Sequence, residues 1–256
     1  MEKWIGVVGG VGSFAGIDLL GKIAAQTVAG QDQDHLTVLN WSQPSEIVDR
    51  TEYLLGHVAE NPGYALAAQV CQLAQMGAGV VGIPCNTAHA PRIFDLIRAE
   101  LAAAACDVVL LHMIKEVGRF LQAQLPDAKR IGLLATTGTV QVGVYTAVLQ
   151  PLGFTAVSPP SAMQTEKIHP AIYDPNHGIK ACGFVTAQAR DDLLMGIETL
   201  KQAGAEAIIL GCTELPLAIP ETAVSGLPTI DPTLILARAL IREANPAKLK
   251  PLLTHQ

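Results

Sequence analysis

The sequence predicts an α/β fold of two similar lobes related by a pseudo-two-fold axis. Each lobe is a mainly parallel sheet flanked by helices, with the functional site in the cleft between them. Three observations predict this. Short apolar runs alternate with helix-length stretches along the 256 residues, the pattern of α/β layers. Most of those runs are continuously apolar rather than alternating, as suits strands buried on both faces of a parallel sheet. Two windows of the first half also recur, in the same order, in the second half.

In chain order, the first apolar run, Trp4–Val8, reads as a strand that ends in the turn "GGVGS", and Gly16–Val28 is the helix behind it. Thr37–Asn40 is a second strand, Tyr64–Gln75 an Ala/Leu-rich helix, and Val80–Ile83 and Val108–Leu110 are further strands. The second half repeats the sequence of elements: strand Arg130–Leu134, helix Thr139–Leu149, strand Thr155–Val157, helix Gln188–Gln202 and strand Ala207–Leu210. The boundary falls near His112–Val117. Lobe 1 is expected to comprise residues 1–112 plus about 225–256, the tail folding back onto it, and lobe 2 about 113–224.

Composition narrows the class. Half the residues are apolar and only 4% aromatic, so the core is built from Ala, Val, Leu and Ile. A net charge of −6 without a basic run or a basic amphipathic helix argues against nucleic acid as a partner. No stretch resembles a membrane span; the nearest, Leu101–Ile114, is short and contains Asp107. The N-terminal stretch is Gly-rich, lacks a clean cleavage site and reads as the first strand and helix of the mature fold. Five cysteines without a C-x-x-C pair point to free thiols in a reducing cytoplasm, not to a disulfide framework or a zinc site, so no metal is expected. "GGVGS" lacks the spacing and the Lys of a nucleotide site and reads as a turn.

The repeat singles out two of the cysteines. "AQMGAGVVGIPCNT" and "KQAGAEAIILGCTE" align Gln75 with Gln202, Gly77 with Gly204, Ala78 with Ala205 and Cys85 with Cys212 at one constant spacing. "KWIGVVGGVGS" and "KRIGLLATTGT" align Ile5 with Ile131, Gly6 with Gly132 and Gly12 with Gly138 at a spacing one residue shorter. Cys85 and Cys212 therefore fall beyond the carboxyl ends of equivalent strands, where ligands of parallel sheets sit. Small polar residues follow each one, Asn86 and Thr87 in one lobe and Thr213 and Glu214 in the other. If a helix opens there, its N–H groups would favour an anion and its dipole a thiolate. Two opposed thiols suit inversion of a stereocentre bearing hydrogen. One takes a proton from one face and the other returns a proton to the opposite face, and a group with pKa near 8.5 can do either.

"CNTAH" at Cys85–His89 and "GCTE" at Gly211–Glu214 resemble the paired motifs of the aspartate/glutamate racemase superfamily, and "IGVVGGVG" and "IGLLATTGT" resemble its strand-plus-loop segments. The resemblance runs from Ile5 to about Thr233. It implies two α/β lobes, racemisation of an amino acid without pyridoxal phosphate or another cofactor, and a homodimer. It casts Cys85 and Cys212 as the acid/base pair. Ser13, Asn86, Thr87, Thr136, Thr137, Thr139, Thr213 and Glu214 then surround the substrate. "GGVGS" in the first loop and Glu214 after Cys-Thr are similar to the aspartate racemase branch, not to glutamate racemase. That branch grips the side-chain carboxylate with an Arg and a Lys, to which Arg50 and Lys167 correspond; a guanidinium fork suits a carboxylate. The segment Tyr173–Gly183 departs from the family pattern through Pro175 and His177.

Other readings remain open at this level. Glutamate racemase, hydantoin racemase, maleate isomerase or a decarboxylase would keep the fold and change the substrate. A two-lobed amino-acid-binding protein would do no chemistry, and a thiol redox or metal protein would use the cysteines differently. Cys71, Cys106 and Cys182 read as buried small hydrophobes. His89 reads as a core or supporting histidine, and Glu214 is also a candidate helix cap.

Overall fold

The computed structural model describes residues 2–252. Strand β1 (Trp4–Gly9) leads through α1 (Ser13–Gln26) to β2 (Val38–Ser42); α2 (Arg50–Leu55) and α3 (Gly63–Gln75) precede β3 (Ala78–Gly82). Then α4 (Pro91–Ala103) leads to β4 (Val109–Leu110) and α5 (Met113–Gln124) leads away. These strands form an all-parallel sheet in the order β2-β1-β3-β4.

The second half starts with β5 (Arg130–Ala135), α6 (Thr137–Val142), α7 (Val144–Leu149) and β6 (Thr155–Val157). Helix α8 (Ser161–Met163), a π-helical turn (Gln164–Ile168) and α9 (His169–Tyr173) follow without a break, then α10 (Ile179–Cys182) and α11 (Ala187–Gln202). Strand β7 (Ala207–Gly211), α12 (Leu215–Ala218), β8 (Ala223–Val224), β9 (Leu227–Ile230) and α13 (Pro232–Ala244) complete the chain. The second sheet is ordered β6-β5-β7-β9-β8, parallel except for the edge strand β8. Without β8, its order repeats that of the first sheet, second-first-third-fourth.

Side-chain packing repeats as well. A Cβ at Gly6 would meet Val81 at 2.8 Å, Ala78 at 3.0 Å and Leu73 at 3.3 Å. A Cβ at the matching Gly132 would meet Ile208 at 2.6 Å, Ala205 at 3.2 Å and Leu200 at 3.2 Å. The three neighbours are themselves matched positions, so each first strand is bare at the point where the preceding helix and next strand of its lobe press against it. Gly77 and Gly204, with φ of 107° and 80°, end α3 and α11 in the left-handed region.

The tail returns to the first lobe later than Ser225. Ser225 and Gly226, with φ of 52° and 79°, make the two-residue turn of the β8–β9 hairpin, so residues 223–230 belong to the second sheet. The return begins at Asp231, whose carboxylate accepts from Thr233 N at 2.8 Å and Leu234 N at 3.1 Å to cap α13. Helix α13 then packs on α1 and α5, pinned by the Arg242–Glu116 pair at 2.6 Å. One buried cluster runs through both sheets, joining Val8, Val81 and Ile83 to Ile131, Leu133 and Ala207. Among the described residues, no helix is long and apolar enough to cross a membrane.

Gly132→Val is expected to destabilise the protein by about 1–3 kcal/mol through overpacking. Gly21→Ala, on α1 with nothing within 4 Å of its Cβ, should stabilise it by about 0.5–1 kcal/mol. Chemical denaturation of both variants checks the pair; equal effects would refute the close-packing account of Gly132.

Candidate active site

Cys85 lies three residues beyond β3 and Cys212 directly beyond β7, at the carboxyl ends of equivalent strands. Both are buried and both line one cavity between the lobes, with Val11, Arg50, Thr51, Asn86, Thr87, Thr136, Tyr173, Lys180 and Thr213 around them. The space open to the centre of a water-sized sphere is about 20 Å³, room for one water molecule. Nothing much larger than a water would enter this space unless the lobes parted.

Two buried donors in this wall have no partner among the described residues, Arg50 Nε and Asn86 Nδ2. A buried unpaired donor costs about 1–3 kcal/mol, which an anion in the cavity would relieve. Asn86 is oriented from across the cleft, because Tyr145 Oη donates to its Oδ1 at 2.5 Å and leaves the amide N–H groups free. Burial pushes the Tyr145 pKa well up, so it remains a donor. Thr87 Oγ1 meets Thr139 Oγ1 at 2.9 Å, and Thr136 Oγ1 meets Thr139 Oγ1 at 3.1 Å, a hydroxyl chain that also bridges the lobes. For Arg50, burial works to lower the pKa, but the Cys85 sulfur and the Asp49 carboxylate outweigh it and hold the guanidinium above its ordinary value.

The second cysteine has different surroundings. Cys212 Sγ donates to Glu214 Oε2 at 3.0 Å, and Lys180 Nζ donates to Glu214 Oε1 at 2.6 Å. Burial, then the Glu214 charge, push the Cys212 thiol well up, against the opposing Lys180 charge. Burial tends to raise Glu214, but the Lys180 charge and the hydrogen bonds from Lys180, Cys212 and Thr213 overcome it and hold the carboxyl below its usual range. Burial would lower Lys180; Glu214 first, then the Cys212 and Tyr173 charges, keep it above the usual amine value.

The glycines of the two turns admit these groups. A Cβ at Gly12, where φ is 94°, would sit 2.8 Å from Glu214 Oε1 and 3.5 Å from Lys180 Nζ. A Cβ at the matched Gly138 would sit 2.9 Å from Thr51 Cγ2 and 3.2 Å from Thr51 Cα. Each turn glycine thus receives a group from the opposite lobe.

Several expectations need correction. Lys167 is not at the cleft. It lies in the π-helical turn, its side chain is 41% exposed, and it pairs with Asp192 on α11 at 3.0 Å. Lys180 occupies the cleft instead, in the very segment that departs from the family pattern. Ser13 is exposed at the start of α1. Thr137 stays outside the cavity wall, half-buried against Gln164 and His169. Thr139 is fully buried behind that wall, in contact with Thr87 and Thr136. Glu214 precedes α12 without capping it and lies behind Cys212. No long helix opens at either cysteine: a single 3₁₀ turn, Thr87–His89, follows Cys85, and four-residue α12 follows Cys212. Ala90 is extended because Pro91 disfavours the helical region for the residue before it, and this delays α4. His89 is fully buried and neutral, its pKa driven well down by burial and then by His112, with Nε2–H donating to Ile83 O at 3.1 Å. Cys71, Cys106 and Cys182 are half-buried, so burial marks the cleft cysteines and not the other three.

A family model for Asp/Glu/hydantoin racemases matches residues 8–240. The chain belongs to this racemase family. Its fold superposes on that of the Picrophilus torridus aspartate racemase with a TM-score of 0.78 at 29% identity, covering 97% of this chain and 96% of that one. A glutamate racemase of Limosilactobacillus fermentum is 28% identical over 149 residues, 58% of this chain and 49% of that protein. The broad specificity amino-acid racemase RacX of Bacillus subtilis is 28% identical over 172 residues, 66% of each chain. The chain thus spans about half to two thirds of the length of these curated relatives.

Glu214→Gln removes the negative charge beside Cys212 and leaves Lys180 in place, so the Cys212 thiol should ionise at lower pH. The check is alkylation of Cys212 by iodoacetamide as a function of pH, read by peptide mass spectrometry on folded protein. An unchanged or higher midpoint in the variant would refute the proposed control by Glu214.

Proposed function

We propose that the protein is a cofactor-independent aspartate racemase that interconverts L- and D-aspartate by two-base proton transfer between Cys85, Cys212 and the α-carbon. The observation that carries this reading is the cavity itself. Two cysteines share one nearly closed space with two cations, Arg50 and Lys180, and with the unpartnered donors of Arg50 and Asn86. A dicarboxylate held in such a space has a cation available for each of its carboxylates. Arg50 suits one carboxylate in a forked geometry, and Lys180 offers the other a point charge. With the Cys85 thiolate as base, the α-hydrogen moves to its sulfur, and the Cys212 thiol supplies a proton to the opposite face. The enantiomer is formed and the roles of the two sulfurs are exchanged. Water exclusion and fixed donors stabilise the carbanionic transition state.

Incubation in D2O tests the reaction. L-aspartate should gain α-deuterium and lose optical rotation, and Cys85→Ser and Cys212→Ser should each lower the rate by roughly 100-fold or more. Lys180→Met should raise KM for aspartate, and Lys167→Met should leave it near wild type. Glutamate is the second substrate to run, because one methylene is discriminated by about 10–200-fold. Absence of exchange with every amino acid tried, on folded protein, would overturn the assignment, as would single serine variants at wild-type rate.

We also infer a homodimer built on an apolar patch. Phe14 and Ile17, one turn apart on α1, are 49% and 63% exposed, and Phe184 is 64% exposed next to Gly183, whose Cβ would lie 3.6 Å from the Phe14 ring. Such exposure marks association surfaces. Phe14→Asp with Ile17→Asp should sediment as a monomer and the parent chain as a dimer; a parent monomer would end this reading.

A further inference from the structure

The cleft leaves three cysteines unused, and two of them meet. Cys71 lies on α3 and Cys106 in the turn after α4. Both are half-buried, free, and line one cavity of about 260 Å³ with Ala74, Gln75 and Asp107. Their meeting is built into the backbone. Ala105 takes a left-handed φ of 49°, one of two non-glycine residues to do so among those described, and Cys106 N donates back to Leu101 O at 2.9 Å. This reversal, which costs an alanine about 1–2 kcal/mol, turns the chain so that Cys106 lies against α3. The Cys106 thiol is pushed up to about 11, by burial first and then by a hydrogen bond to Cys71 and its charge, as expected of two thiols in contact.

We propose that Cys71 and Cys106 form a dithiol that closes to an intrachain disulfide on meeting a low-molecular-weight disulfide such as oxidised glutathione, tying α3 to the end of α4. The exchange opens on either sulfur as its thiolate, here Cys71. Its thiolate forms a bond to one sulfur of the small disulfide, the S–S bond of that molecule breaks, and one thiolate leaves. The charge on Cys71 is now gone, so Cys106 ionises more easily. It gives its proton to solvent, attacks Cys71, and expels the second small thiolate. Two protein thiols are oxidised by two electrons, and one small disulfide is reduced to two thiols.

The other cysteines do not compete. Cys85 and Cys212 are 7% and 6% exposed and face a cavity with room for one water, so a glutathione-sized oxidant is kept from them while the lobes are closed. Among the described residues Cys182 has only the Asn176 carbonyl as hydrogen-bond partner, at 3.5 Å. The bond closes a loop that carries β3, Cys85 and α4. Helix α4 starts beside the Cys85 turn and runs 13 residues, about 20 Å, away from it. The disulfide therefore acts on stability at the end of the first sheet far from the cleft.

The test treats the reduced full-length protein with oxidised glutathione, followed by intact-mass measurement, peptide mapping and thermal melting. The expected result is the loss of two hydrogens in mass, a Cys71–Cys106 crosslinked peptide, and a Tm higher by roughly 10 °C that dithiothreitol reverses. Cys106→Ser should melt like the reduced parent, carry a stable glutathione adduct on Cys71 and show no rise in Tm; Cys71→Ser should form no crosslink. Separate glutathione adducts on the parent's Cys71 and Cys106, a Cys85–Cys212 crosslink, or a confirmed bond with no gain in Tm would each overturn the proposal.

Discussion

The bare backbone at Gly12 and Gly138 governs how closely the lobes approach, and the rest of the site depends on that approach. Any side chain at Gly12 would occupy the position of the Glu214 carboxylate and crowd the Lys180 amine. Any side chain at Gly138 would push away Thr51 and, with it, the adjacent Arg50. Because the two glycines are matched positions of the repeat, both cations are admitted by the same device. The cavity is small for the same reason, and its smallness dries the site and gives the charges within it their strength.

Two cysteines that are equivalent by position differ in their electrostatics. Cys85 is set against Arg50, whereas Cys212 is set against a carboxylate that is itself paired with Lys180. Burying the Lys180–Glu214 pair is costly unless each remaining valence is used, and here Cys212 and Thr213 both donate to Glu214. The pair thus holds one sulfur as a proton donor. A symmetric frame carries two cysteines with unlike charged neighbours.

Much of this was legible in the sequence, and what was not has physical reasons. Strands β1, β3, β5 and β7 are the continuous apolar runs and were readable as such, while β2 was read two residues short because Asn40 and Ser42 break its apolar run. Strand β9 was not, because Pro228 interrupts it and the Ser225–Gly226 turn reads as the end of an element. Helix α2, six residues held by the Asp49 cap, is too short to show periodicity. The two cysteines were found because a repeat is a long-range signal written in linear order. Lys180 and Tyr145 were missed because their place depends on geometry between elements. Lys167 lies in the π-helical turn at Gln164–Ile168 and pairs with Asp192, Lys180 reaches Glu214 from α10, and the Tyr145–Asn86 bond crosses the cleft. Thr139 was found, but its link to Thr87 was not, for the same reason.

The core that runs from Val8 and Ile83 to Ile131 and Ala207 has a consequence for the two halves. Each half holds a complete sheet and a buried cluster of its own, yet part of each apolar face is finished by the other. A half separated from its partner would present that face to water. The halves keep a common form, and the shared cluster ties the stability of each to the other.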